Sequence, residues 1–126
     1  MTKILLDTDI VINLLKKEQK FVDKFLSLES SSSAVFYCNP IIIAEIYAGA
    51  FKREMLSIDQ FFDHLVHVDI CRFTGIQAGQ YANQYRKAYN KISLEDYLIA
   101  ASAKINSLAL WTNNRKHYPM EDIYFV

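Results

Sequence analysis

Three carboxylates interrupt apolar surroundings at widely separated points of the chain. Asp7 follows Ile4-Leu5-Leu6, Glu45 falls inside Ile41-Ile42-Ile43-Ala44-Glu45-Ile46, and Asp96 lies in Leu94-Glu95-Asp96-Tyr97-Leu98-Ile99. An unpaired carboxylate beside a core is costly, and like charges brought together repel. A divalent cation offsets both effects. An all-oxygen set of this kind suits Mg²⁺ or Mn²⁺, and no His/Cys set favours zinc. A fourth polar stretch comes late, in Thr112-Asn113-Asn114-Arg115-Lys116-His117. There Thr112 and Asn114 are candidates to hold a metal-bound water or a phosphate, and Arg115, Lys116 and His117 add donors. Arg86, Lys87 and Lys91 are further candidates for phosphate contacts.

Each of these residues also has a plain structural reading. Asp9, or less often Asp7, suits the N-cap of a helix. Asp96 is three residues after Ser93 and so fits a capping box. Glu45 could be a solvated helix position, although Ile42, Ile43, Ala44 and Ile46 around it argue otherwise. The late polar stretch could be an ordinary exposed loop. A shared metal gives all three acids one reason to be where they are.

The elements that must position them follow from the hydrophobic pattern. Ile4-Leu5-Leu6 reads as a buried strand, and Ile10, Val11, Leu14 and Leu15 read as a helix from Ile10 to Lys17, continued at helical spacing to about Leu28. Ser30 to Ser33 reads as a loop. Ala34 to Cys38 is a second strand. Asn39-Pro40 then starts a helix, with Asn39 as N-cap and Pro40 at the first helical position. Another helical pattern runs through Leu56, Phe61, Phe62 and Leu65. Val66 to Ile70 is a third strand, Thr74 caps a helix reaching about Tyr89, and Ser93 begins the helix from Leu94 to Ile105. Leu108 to Thr112 is a fourth strand, Asn113 to Tyr118 a basic loop, and Ile123 to Val126 a last strand. Strands alternating with helices predict an α/β fold: a parallel sheet of four to five strands with helices on both faces. In such sheets ligands sit outside the carboxyl ends of the strands, where Asp7 falls.

The 126 residues fit one domain, 1–126, able to bury one core. With 52% hydrophobic residues and only 3 Gly and 2 Pro, disorder is not indicated. The 14 basic and 14 acidic residues cancel, so any nucleic-acid contact must come from local patches. Cys38 and Cys71 read as free buried thiols in a reducing compartment. No run approaches a membrane span or a signal-peptide core, so a cytoplasmic protein with no membrane partner is expected.

Four segments together carry a resemblance. Leu5-Leu6-Asp7-Thr8-Asp9-Ile10-Val11-Ile12, Ala44-Glu45-Ile46-Tyr47-Ala48-Gly49, Glu95-Asp96-Tyr97-Leu98-Ile99-Ala100-Ala101 and Trp111-Thr112-Asn113-Asn114-Arg115-Lys116-His117-Tyr118-Pro119 resemble the four motifs of PIN-domain proteins, most closely VapC-type toxins. The resemblance covers nearly the whole chain. It implies a metal-dependent endoribonuclease with a PIN-like three-layer sandwich, a homodimer, and inhibition by a VapB-type antitoxin whose tail enters the active-site groove. Asp7, Glu45 and Asp96 match the family's acidic ligands to Mg²⁺ or Mn²⁺; Thr112 and Asn114 would orient the water or a second ion. Arg115 and Lys116, with Arg86 and Lys87, would meet the RNA backbone. The fourth motif often carries an acid at the position of Asn114 or His117, and here neither is acidic. Phe21, Phe25, Phe51, Phe61 and Phe62 exceed what one small core must hold, which suits a docked partner helix.

Two other readings remain at this level. Apolar-Asp7-Thr8-Asp9 resembles the first motif of haloacid-dehalogenase-type phosphatases, with Asp7 as nucleophile, but a late acidic pair is missing and Glu45 stays unexplained. A PIN-like module that binds RNA or a partner without turnover would account for the missing fourth acid.

Overall fold

Lys3–Leu6 forms β1, the strand on which the rest is laid. Ile4, Leu5 and Leu6 are fully buried. That continuous apolar run is what a parallel strand covered on both faces requires. The computed structural model describes residues 1–126. It adds β2 (Val35–Cys38), β3 (Val66–His67) and β4 (Ala109–Trp111). All pairs are parallel and the spatial order is β3-β2-β1-β4.

The helices are α1 (Thr8–Leu15), α2 (Gln19–Ser31), α3 (Pro40–Ala48), α4 (Met55–Asp63), α5 (Arg72–Tyr85) and α6 (Leu94–Ile105). The chain moves outward from β1 to β3 through α1–α4, then returns past β1 to β4 through α5 and α6. With right-handed crossovers, the two directions of travel put their helices on opposite faces. The α/β sandwich expected from the sequence is therefore the observed one. The strand order reverses at β1 and β4. Leu6 pairs with Trp111 there, and the Asp7 amide donates to the Trp111 carbonyl at 3.0 Å, one rung further. The residues just past this rung, Asp7 and Thr112, open the crevice where ligands bind in such sheets.

Several boundaries differ from the sequence reading, each for a local reason. The first helix starts at Thr8 because Asp7 is its N-cap: the Asp7 carboxylate accepts from the Thr8 amide at 2.8 Å. Asp9 sits in the first turn instead. Lys17 takes a left-handed backbone (φ 57°) and separates α1 from α2. The serine run is helical to Ser31, where Ser30, Ser31 and Ser32 fold their hydroxyls back onto the Ser27 and Leu28 carbonyls, a habit of serine in helices. Thr74 is not a cap. Cys71 holds that position, and Thr74 is buried one turn in, its hydroxyl 3.4 Å from the Cys71 amide. That helix stops at Tyr85, short of Tyr89. The third strand keeps only two of its five expected residues. The expected last strand shrinks to one parallel bridge, Leu110 to Phe125, since only the Leu110 amide and carbonyl engage it. Cys38 is buried, and burial pushes its thiol up to about 12. Cys71 is exposed. No helix is long and apolar enough to cross a membrane.

The core is one cluster spanning both sides of the sheet, from Ile10 and Ile42 to Tyr97 and Ile99. Most of the phenylalanines belong to it: Phe62 is buried, Phe25 stacks on Phe36 at 3.9 Å and Phe21 on Trp111 at 6.4 Å. Phe51 alone of the five stands out, 61% exposed.

Candidate active site

Asp7 is the best-held of the acids. Its Oδ1 accepts from the Thr8 amide, and its Oδ2 accepts from the Thr112 hydroxyl at 2.8 Å and the Tyr118 hydroxyl at 2.9 Å. These donors come from the start of α1 and from the segment after β4, so the strand pairing itself aims them. Asp7 is buried, and burial raises its carboxyl above the ordinary range; the three hydrogen bonds pull it down and the Asp96 charge pushes it up. Thr112 therefore orients Asp7 directly. Its own oxygen also accepts from the Asn114 amide at 3.0 Å.

Glu45 lies on α3, whose entry is set by Asn39: the Asn39 carboxamide accepts from the Ile42 amide at 3.0 Å, with Pro40 next in the chain. The residue is exposed, contrary to the expectation from its isoleucine neighbours. Ile42 and Ile46 are buried, and Ile41 and Ile43 pack partly against the core, which leaves Glu45 with Ala44 on the exposed side of the helix. Even so, partial burial raises the Glu45 carboxyl, the Thr8 hydrogen bond lowers it, and the charges of Asp7, Asp96 and Glu95 raise it again. The Thr8 hydroxyl donates to Glu45 Oε1 at 2.6 Å while the Thr8 amide serves Asp7. Thr8 thus links two of the acids. The sequence reading passed over it, although a hydroxyl between two carboxylates was the available signal.

Asp96 does close a capping box with Ser93, as its spacing suggested. Its Oδ2 also lies 3.2 Å from His117 Nδ1, so capping leaves Asp96 free to face the segment after β4. Asn114 approaches the same imidazole, its side-chain nitrogen 3.0 Å from Nδ1. The segment 113–118, expected as a plain loop, contains a 3-10 turn at Arg115–His117 that carries His117 inward. Asp9 is tied to this segment too, accepting from the Asn113 amide at 3.0 Å. Burial, and then the Asp7 charge, raise its carboxyl.

Asp7, Glu45 and Asp96 thus come to one end of the sheet, within electrostatic reach of one another. No three His, Cys, Asp or Glu side chains are gathered to grip an ion directly. The donor chemistry nevertheless fits a hard cation that keeps several waters and takes only one or two carboxylates directly, as Mg²⁺ does. Tyr118, another residue that sequence reasoning did not single out, has its hydroxyl held protonated by burial and by the neighbouring Asp7 and Asp96 charges. It can only donate to Asp7.

The basic candidates divide. Lys116 and Lys91 line one open cavity of about 400 Å³ with His117 and Tyr89. Arg115 instead donates to the Val126 carbonyl at 3.1 Å and stacks over Phe125 at 4.9 Å, which ties it to the chain's last residues. Arg86 and Lys87 follow α5 and are exposed. Beside Glu45, the apolar side chains of Ile12, Leu15, Ile46, Phe51 and Ile58, with Lys16 and Glu54 among them, line a cavity of about 290 Å³.

Ribonuclease VapC19 of Mycobacterium tuberculosis is 28% identical over 116 residues, covering 92% of each chain. Among solved structures, the VapBC2 complex of Rickettsia felis bound to a DNA fragment from its promoter gives a TM-score of 0.84 at 21% identity, over 99% of this chain and 98% of the other. DNA-bound VapBC from Salmonella typhimurium gives a TM-score of 0.84 at 23% identity, over 100% and 98%. The phosphatase alternative finds no support in these likenesses. Residues 4–123 match the PIN domain family, and the chain belongs to it.

Proposed function

We propose that residues 1–126 act as one metal-dependent endoribonuclease domain, the toxin of a VapBC-type toxin–antitoxin pair working in the cytoplasm. The observation that carries the reading is the convergence of Asp7, Glu45 and Asp96 beyond the carboxyl ends of β1 and β4, where the Asp96 charge raises the Asp7 carboxyl and the Asp7 and Asp96 charges raise that of Glu45. The relatives named as VapC ribonucleases and the fold shared with VapBC complexes support it.

Asp7, Glu45 and Asp96 would hold Mg²⁺ or Mn²⁺, directly or through water. When bound, the ion lowers the pKa of a bound water and neutralises charge on the scissile phosphate. The chain's own contribution is placement. Thr112 and Tyr118 fix Asp7 Oδ2, and the Thr8 amide fixes Oδ1, so this carboxylate enters the reaction already oriented. Thr8 holds Glu45 on the opposite wall. Asn114 and His117 border Asp96. Lys116 and Lys91, with Arg86 and Lys87 further out, would take backbone phosphates of the RNA. Single-stranded or loop RNA suits such a site, since its bases can be splayed against side chains. A VapB-type antitoxin would lay an apolar segment into the cavity beside Glu45, where Phe51 is exposed, and the toxin would act as a homodimer.

The test is cleavage of RNA by the full chain freed of its partner, with Mg²⁺ or Mn²⁺ and with EDTA. Cleavage should need the metal and should vanish in Asp7→Asn, whose fold should survive because the amide replaces the carboxylate in shape. Undiminished metal-dependent cleavage by Asp7→Asn would sink the assignment of Asp7. Binding of RNA without cleavage, across many RNAs and in Mn²⁺, would favour the inactive alternative.

A further inference from the structure

His117 Nδ1 stands between two groups that cannot both be satisfied by it. It is 3.2 Å from Asp96 Oδ2 and 3.0 Å from the side-chain nitrogen of Asn114. A protonated Nδ1 can donate to the carboxylate but then faces an amide N–H. A bare Nδ1 can accept from the amide but then faces a carboxylate oxygen, lone pair to lone pair. Turning the Asn114 carboxamide over exchanges its nitrogen and oxygen, which occupy nearly the same places. With Nδ1 bare, the imidazole nitrogen then has two other lone-pair donors beside it, a carboxylate oxygen at 3.2 Å and an amide oxygen at 3.0 Å. A cation satisfies all three at once.

The spacing agrees. Neighbouring ligands of an octahedral ion with bonds of ~2.1 Å stand about 3.0 Å apart, close to the two distances here. The donors are also pre-positioned. Ser93 caps Asp96 on α6, the Asn114 amide donates to Thr112, and the His117 amide donates to the Asn114 carbonyl at 2.9 Å. The Asp96 and His117 side chains are 20% and 28% exposed, which leaves room for coordinated water.

We propose that His117 Nδ1 is a nitrogen ligand to the divalent ion, alongside Asp96 and the Asn114 amide oxygen, and that it makes the site select Mn²⁺ over Mg²⁺. This rests on the metal-dependent reading above. Mg²⁺ takes oxygen ligands almost exclusively, whereas an imidazole nitrogen suits ions further along the first transition row. Asp7 and Glu45 would reach the ion through coordinated water, and His117 sets which cation the site prefers.

The test is pulsed electron paramagnetic resonance on the full-length, metal-stripped protein loaded with Mn²⁺. A directly coordinated imidazole nitrogen should give ¹⁴N modulation in the wild type, and it should be absent from His117→Ala. His117→Asp should bind Mn²⁺ without that modulation. In equilibrium titrations its Mn²⁺-to-Mg²⁺ affinity ratio should fall by about tenfold or more, since removing even outer partners of a ligand costs that much. Circular dichroism and thermal unfolding check that both variants fold. Mn²⁺ bound without nitrogen modulation, in a chain whose RNA cleavage still requires metal, overturns the role of His117 and leaves the nuclease reading standing. Failure to bind Mn²⁺, together with cleavage indifferent to EDTA, overturns both.

Discussion

Tyr118→Phe isolates one of the three hydrogen bonds that hold Asp7. The hydroxyl is 2.9 Å from Asp7 Oδ2, and both residues are buried, so removing it deprives an ionised carboxylate of a donor with no water to replace it. Hydrogen bonds to charged groups are worth about 1.5–3 kcal/mol, against about 0.5–1.5 for neutral ones. The variant should therefore lose about 2 kcal/mol at neutral pH, enough to move a urea midpoint by about 1 M for a domain of this size. The pH dependence carries the argument. Burial raises the Asp7 carboxyl in the folded protein above its ordinary 3.8, so its contribution to stability is complete below that value and is lost as pH rises through the folded pKa. The Tyr118 donor favours the charged form and limits this loss. Without it the folded pKa climbs further, so the penalty of Tyr118→Phe should be largest where Asp7 is ionised and should shrink as pH falls and Asp7 takes up its proton. The assay is urea unfolding of wild type, Tyr118→Phe, Asp7→Asn and the double variant from pH 4 to 8. In the Asp7→Asn background the penalty should drop by about 1 kcal/mol, the difference between charged and neutral bonds, and lose its pH dependence. An equal, pH-independent loss in both backgrounds would refute the claim that Tyr118 serves the Asp7 charge.

Three further outcomes follow from the same geometry. Thr8→Val should free Glu45 from its 2.6 Å bond and lower the cleavage rate by about tenfold or more through misplacement alone, with stability within about 0.5 kcal/mol because that bond is exposed; single-turnover kinetics beside thermal unfolding would check it, and an unchanged rate would remove Thr8 from the site. Lys91→Ala and Lys116→Ala should each weaken RNA binding and reduce the slope of log affinity against log salt by about 0.7, as expected for one contact to a single strand; filter binding from low to moderate salt reads this, and an unaltered slope would rule out the phosphate contact. Ser102 is fully buried and its hydroxyl has no hydrogen-bond partner. Ser102→Ala should therefore raise stability by about 1 kcal/mol in chemical unfolding, the cost of an unsatisfied buried hydroxyl; a loss of stability would mean that the hydroxyl is satisfied in solution.

The strand–helix alternation was legible from the sequence because β1 is buried on both faces and writes itself as an unbroken apolar run. The Asn39-Pro40 start of α3 and the Ser93 start of α6 were legible because capping is local chemistry. What stayed hidden was set by contacts distant in sequence. Tyr118 reaches Asp7 across 111 positions and Thr112 reaches it across 105; no periodicity encodes either bond. The two-residue β3 and the lone bridge at Phe125 depend on how much partner strand is available. The exposure of Glu45 among isoleucines depends on which side of α3 faces the core, and that helix is apolar nearly all round. The local capping rule fits Asp9 as well as Asp7 and cannot choose between them; the strand end, fixed by pairing with β4, puts Asp7 in the cap.

The extra rung between the Asp7 amide and the Trp111 carbonyl has a dynamic consequence. It makes the backbone of the leading acid part of the central sheet, so its amide should exchange with deuterium only through the openings that unzip β1 from β4, among the rarest in the molecule. Glu45 on its exposed helix position and His117 on a short 3-10 turn have no such anchorage. The crevice therefore has one wall as slow as the core and two flanks whose local hydrogen bonds can open without unzipping the sheet. Any adjustment to the size of an incoming ion or the path of a bound strand must be made on the side of Glu45 and His117, while Asp7 remains the fixed point against which they move.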